Sequence, residues 1–136
     1  MSLYPPPADL PTTLFARLPG AFSNPDRPSA WTEANKPGQK AASFLEGPSF
    51  DRQGNLYVTD IPHGRVFRIS PQGEWSLIAD YEGWPNGLRV HRDGRIFITD
   101  YRLGILELDA NTGQLSEVLT HVKSESFKGV NDYVMC

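Results

Sequence analysis

A single cysteine, Cys136, stands at the last position of the 136 residues. No disulfide can therefore form within the chain, and no cysteine cluster can hold zinc. A reducing compartment fits that usage, and a cytoplasmic location is expected. Long apolar runs are also missing: nothing approaches the ~20 residues of a membrane span. The first ten residues carry Pro5, Pro6, Pro7 and Asp9, where a signal peptide needs an apolar segment. The sequence reads as soluble and not secreted. It lacks a charge excess as well. Lys and Arg number 13 against 16 Asp and Glu, a net charge of −3, which offers no basic field to nucleic acid or an anionic membrane. Neither partner is expected. There is no G-x-S-x-G, no H-E-x-x-H, no Walker lysine loop and no dinucleotide-binding glycine pattern, so serine hydrolase, zincin, NTPase and Rossmann readings lack support.

What is present is the composition of a folded chain, 39% apolar, 11% aromatic and 21% charged, at a length that allows one compact unit. Proline and glycine divide it: eight of 12 prolines precede residue 38, and eleven of 12 glycines lie from Gly38 onward. Before that boundary, Thr12 to Leu18 has the β-branched and aromatic content of a strand. Pro19 to Lys40 is rich in turn formers and predicts a long surface loop. Residues 1–43 thus read as a Pro-rich segment with one strand and a long loop, and residues 44–136 as a separate region.

That region repeats itself. Glu46 to Asp60 laid over Asn86 to Asp100 matches Gly, Arg, Gly, Thr and Asp without a gap at an offset of 40 residues, and Gly64 and Gly73 then fall on Gly104 and Gly113. Each copy predicts four short strands, Glu46 to Phe50, Asn55 to Asp60, Arg65 to Ser70 and Glu74 to Asp80 in the first. The second gives Asn86 to His91, Arg95 to Asp100, Ile105 to Asp109 and Gln114 to Thr120. No helix is expected. Four strands per ~40 residues is the pattern of a β-propeller blade, which covers its apolar faces by stacking on its neighbours. A third copy opens at Gly129-Val130-Asn131-Asp132. The expected fold is all-β, a partial β-propeller of about two four-stranded blades plus the first strand of a third. Since a ring needs about four to eight blades, the chain reads as incomplete, with an exposed blade edge that invites self-association.

The repeat also separates architecture from chemistry. Thr59-Asp60 and Thr99-Asp100 recur, as loop-fixing hydrogen-bond formers; the turn glycines recur because tight connections need positive φ. The start of the first strand varies: Glu46, Asn86, Asn131. If first strands line a central channel, these three present side-chain oxygens at one height, a partial shell for a hard divalent cation. The alternative is a solvated turn residue at Glu46 and strand caps at the two Asn. His63, His91 and His121 are scattered singly and read as surface histidines. Arg89, His91, Arg92 and Arg95 form a basic patch broken by Asp93, which reads as solvated surface. The strand aromatics read as packing between blades, with Trp84, in the loop before the second inner strand, as the exception.

Leu45-Glu46-Gly47-Pro48, the run Phe50 to Asp60 (FDRQGNLYVTD), Pro85-Asn86-Gly87-Leu88 and Val130-Asn131-Asp132 together resemble the opening blades of the SMP-30/gluconolactonase/LRE family over residues 44 to 134. The resemblance implies a six-bladed propeller lactonase with a divalent cation at the channel mouth, Ca²⁺ first, Zn²⁺ or Mg²⁺ as alternatives, acting on a small-molecule lactone or sugar-acid ester. It implies metal ligation by Glu46 and Asn131, and substrate contact by Asn131, Asn86 and Asp132. An Asn from the fourth blade and an Asp from the fifth complete the family's metal shell, and the general base goes with them. This chain ends before both, which implies a truncated chain with weak or absent activity. Thr12 to Leu18 resembles the family's N-terminal strand, which completes the last blade. Two other propeller readings stand beside this one: an NHL-like scaffold with no channel metal, and a strictosidine synthase-like site with a channel Glu and no metal.

Overall fold

The computed structural model describes residue 4 and residues 7–134; Pro5, Pro6 and Cys136, used above, lie outside the described residues. Two four-stranded antiparallel sheets dominate it, each in sequential order. The first contains β1 (Leu45–Phe50), β2 (Leu56–Asp60), β3 (Arg65–Ile69) and β4 (Trp75–Asp80). The second contains β5 (Pro85–Val90), β6 (Ile96–Asp100), β7 (Gly104–Leu108) and β8 (Leu115–Leu119). These are the eight expected strands, with ends shifted by a residue or so. Each sheet carries a register shift between its first two strands and another between its last two. Bulges at matching places add the twist that a blade needs.

Strand alternation sends side chains to opposite faces, and both faces of the first sheet are used. Tyr57, Val66 and Ala79 meet Leu88, Ile96, Ile98, Leu106 and Leu108 of the second sheet in one core. Val58, Phe67 and Ile69 point the other way. There the N-terminal segment covers them with Ala16, Leu18 and Phe22, and Phe67 packs between Phe22 at 5.0 Å and Trp75 at 5.4 Å. The architecture is a partial β-propeller: two blades stacked on each other, with a coil segment on the outer face of the first.

Three expectations are corrected. Thr12 to Leu18 is not a strand; it lies on a sheet face, where Ala16 and Leu18 pack against Val58, Phe67 and Ile69. The long loop is not wholly irregular: it holds a 3₁₀ turn, Gly20–Phe22, and α1, Ala30–Asn35. Ser29 caps α1, accepting from the Thr32 N–H at 3.1 Å and donating to the Pro62 carbonyl at 2.5 Å. Gly129 to Asp132 does not form a strand, since the described chain offers it no second strand to pair with. Ahead of it comes a small hairpin, β9 (His121–Val122) with β10 (Glu125–Ser126).

Buried ion pairing ties these layers together. Asp60 is fully buried and accepts from the Ser43 hydroxyl, the Phe44 N–H and the Arg65 guanidinium. Arg65 in turn donates to the Phe22 carbonyl at 3.0 Å, fixing the N-terminal segment to the blade. Asp100, at the equivalent place, accepts from the Arg102 and Leu103 N–H groups and from the Tyr81 hydroxyl. These satisfied buried carboxylates hold the β2–β3 and β6–β7 connections.

Candidate functional site

The innermost strands of the two blades, β1 and β5, lie side by side. Glycine permits the approach. A Cβ on Gly47 would sit 2.6 Å from the Leu88 nitrogen and 2.7 Å from the Asn86 carbonyl oxygen, and φ at Gly47 is +57°. On Gly87 it would sit 2.7 Å from the Asn131 carbonyl oxygen. Gly47 and Gly87 occupy the same position of successive copies, so each inner segment packs its glycine against the backbone of the next.

Paired hydrogen bonds set the same spacing. Thr59 donates its hydroxyl to the Asn86 carbonyl at 2.8 Å, and Thr99 donates to the Asn131 carbonyl at 2.5 Å. The recurring threonine thus hooks each second strand to the inner segment of the following blade. Asn131 receives the bond that Asn86 receives, which places it at the third inner position although no strand forms there. Thr99 also accepts from the Gly87 N–H at 2.9 Å. Tyr133, whose hydroxyl donates to the Phe97 carbonyl at 3.1 Å, anchors the segment further along; burial raises its phenol pKa, keeping it a neutral donor.

The outcome is a pocket of about 170 Å³ whose wall includes Glu46, Asn86, Arg89, Asn131 and Asp132. All four candidate residues, Glu46, Asn86, Asn131 and Asp132, are brought together. Among the described residues, the side chains of Glu46, Asn86 and Asn131 have no hydrogen-bond partner. Asp132 is engaged: Oδ1 accepts from the Tyr133 N–H at 2.8 Å and Oδ2 lies 3.3 Å from the Arg89 guanidinium. Arg89 also donates to the Leu88 carbonyl at 3.0 Å. Chemically the pocket offers carboxylate and amide oxygens with one guanidinium, a set suited to a hard cation or to a hydroxylated substrate and poorly suited to a soft metal.

Arg89 is the residue that sequence reasoning missed. Its sequence neighbours place it in a solvated basic patch, yet it is half-buried in the pocket wall and paired. Its place on β5, three residues after Asn86, was the available signal. His63 is corrected too: it is not a surface residue but 5% exposed, part of the β2–β3 turn with Nε2 on the Ala41 carbonyl, and its pKa is lowered by burial. His91 is half-buried beside Asp93 at 2.7 Å, and His121 is exposed. Phe50 is corrected likewise, being 63% exposed rather than packed between blades.

Comparison with known proteins gives a consistent result. Residues 44–136 match the SMP-30/Gluconolactonase/LRE-like region. Lactonase drp35 of Staphylococcus aureus (strain MRSA252) is 28% identical over 102 residues, covering 70% of this chain and 30% of that protein. Lactonase drp35 of strain MW2 is 34% identical over 70 residues, 50% of this chain and 20% of its own. A solved gluconolactonase, XC5397 of Xanthomonas campestris, superposes with a TM-score of 0.61 at 24% identity over 66% of this chain and 31% of its own, a likeness of fold. The chain therefore spans less than a third of the length of these relatives. With two stacked blades and a matching sequence profile over most of its length, the chain belongs to the SMP-30/gluconolactonase/LRE-like family.

Proposed function

We propose that this chain supplies the opening part of the site of a metal-dependent lactonase, acting on a small-molecule lactone or sugar-acid ester. The observation that carries the reading is the convergence of Glu46, Asn86, Asn131 and Asp132 on one pocket. Glu46 and Asn131 would hold a divalent cation, Ca²⁺ first, with Zn²⁺ or Mg²⁺ as alternatives. The residues fit such an ion as a partial shell. Glu46 brings a charge, Asn131 brings an amide oxygen, and neither side chain is committed to a protein partner among the described residues. When bound, the cation supplies Lewis-acid polarisation of the lactone carbonyl. Asn86 and Asp132 orient the substrate by hydrogen bonds. Arg89 fixes the Asp132 carboxylate and adds N–H donors at the pocket wall.

Calorimetric titration of Ca²⁺ and Zn²⁺, with gluconolactone opening followed by proton release, tests this. The expected result is weak cation binding that Glu46→Gln abolishes. Turnover by these 136 residues alone is expected to be weak or absent, because the family's fourth- and fifth-blade ligands are not among them. Binding indifferent to Glu46→Gln, or brisk turnover by this chain, refutes it.

A non-enzymatic, NHL-like scaffold is the second reading. It is favoured by the Arg89–Asp132 pair, which occupies the pocket's second carboxylate. A chain that binds neither cation decides for it. In either reading the exposed edge of the second blade, with Val118 49% and Leu119 42% exposed, supports self-association of the isolated chain; sedimentation that shows a monomer at all concentrations refutes that part.

A further inference from the structure

A second cavity, of about 430 Å³, shares no wall residue with the oxygen-lined pocket. It lies where the segment before α1, the β2–β3 turn, the β4–β5 connection and Arg102 come together. Its volume falls in the range of small-molecule sites, ~300–1,000 Å³. The whole wall belongs to well-separated parts of this chain, so no further blade is needed to form it.

The wall presents charge in opposite pairs. Arg27 and Asp80 form a bidentate pair at 2.9 and 3.0 Å, and Arg102 lies 3.8 Å from Glu82. Two guanidinium groups and two carboxylates cancel, so the cavity selects no ion. They still hold spare N–H donors and spare oxygen lone pairs, which a ligand with several hydroxyls can use at once. His63 forms part of the wall. Its Nε2 contacts the Ala41 carbonyl at 3.1 Å, and a carbonyl can only accept, so Nε2 carries the hydrogen. Burial lowers the ring's pKa and keeps it neutral. Nδ1 is then a bare acceptor, buried and without a partner. Trp84 also lines the cavity, its indole braced by Tyr101 at 5.7 Å between ring centroids and by Arg102 at 5.6 Å. A fixed aromatic surface beside mixed donors and acceptors suits a ring with an apolar C–H face and hydroxyls around its edge.

We infer that this cavity binds a neutral cyclic polyol the size of a pyranose sugar, with its C–H face on Trp84 and its hydroxyls toward Asp80 and Arg102. The inference does not rest on the lactonase reading, since none of Glu46, Asn86, Asn131 or Asp132 takes part.

Ligand-observed saturation-transfer NMR on the 136-residue chain tests it, with methyl α-D-glucopyranoside and myo-inositol as polyol probes and citrate as the anionic control. A ligand of about a dozen heavy atoms at ordinary efficiency has a dissociation constant on the order of 1 mM. Transfer to at least one polyol at that level, and none to citrate, is the expected result. Trp84→Ala should weaken binding by about tenfold. Arg102→Gln, at an exposed position, should weaken it by about threefold. Glu46→Gln should leave it unchanged. No transfer to either polyol overturns the proposal, as does citrate binding in their place or affinity unaltered in both Trp84→Ala and Arg102→Gln. Loss of polyol binding in Glu46→Gln places the sugar in the oxygen-lined pocket and overturns it as well, while leaving the lactonase reading intact.

Discussion

Replacing Gly47 by alanine perturbs the contact on which the pocket depends, and the cost can be worked out from the geometry. The new Cβ would meet the Leu88 nitrogen at 2.6 Å and the Asn86 carbonyl oxygen at 2.7 Å, where ordinary contact begins at 3.4 Å. Both are backbone atoms and cannot swing aside. Relief requires β1 and β5 to separate, which lengthens the Thr59–Asn86 bond of 2.8 Å. Overpacking of this kind costs roughly 1–3 kcal/mol. The left-handed backbone, φ +57°, adds about 1–2 kcal/mol for a residue with a Cβ. The total is about 2–5 kcal/mol, a large share of the ~5–15 kcal/mol of a typical small domain. Gly54→Ala is the control: φ is +83° but the nearest atom is an ordinary 3.5 Å away, so only the backbone term of about 1–2 kcal/mol applies. Urea unfolding followed by tryptophan fluorescence measures both. With m of about 1–3 kcal/mol per molar, the midpoint for Gly47→Ala should fall about 1 M below that of Gly54→Ala. Equal losses would refute the claim that inner strands of successive blades meet at the glycine.

Three further outcomes follow from the same structure. Thr99→Val removes the donor to the Asn131 carbonyl and leaves the buried Gly87 N–H unmet, for about 1–3 kcal/mol. It should also speed amide exchange at 129–133, and protection unchanged there contradicts the third inner position. Arg65→Ala strands the buried Asp60 carboxylate and should cost about 3–5 kcal/mol, with Asp60→Asn in the same chain restoring a large part; calorimetric melting reads both. His63 titrates below its ordinary value of 6.5 because burial disfavours the imidazolium. The unfolded chain therefore takes up the proton first as pH falls. His63's contribution to stability is complete above about 6.5 and declines below it until the folded-state pKa is reached. His63→Gln should flatten that decline in denaturation midpoints between about pH 7.5 and 5, and an unaltered slope rules the origin out.

The blades were legible because their signal repeats: two copies at a fixed offset show which positions are architectural, and eight short strands follow from alternation and turn residues. Glu46, Asn86 and Asn131 were legible as the varying position of that same frame. The N-terminal segment was not. Thr12 to Leu18 has strand composition, but a strand also needs an edge to pair with, and composition does not show whether one is near. Helix α1 has six residues, too short for helical periodicity, and only Ser29 after Pro28 marks its start. Arg89 and His63 were misread because local charge and spacing say nothing of burial, which here comes from the adjoining segment and from the turn after β2.

The central claim, that Glu46, Asn86 and Asn131 face one point, is tested most directly by paramagnetic broadening of amide resonances with Mn²⁺, an oxygen-seeking probe. The account predicts that amides of Gly47, Asn86, Gly87 and Asn131 broaden first and together, and that Glu46→Gln removes the effect. Broadening that begins elsewhere in the chain, or that reaches Glu46 without Asn86 and Asn131, would contradict it.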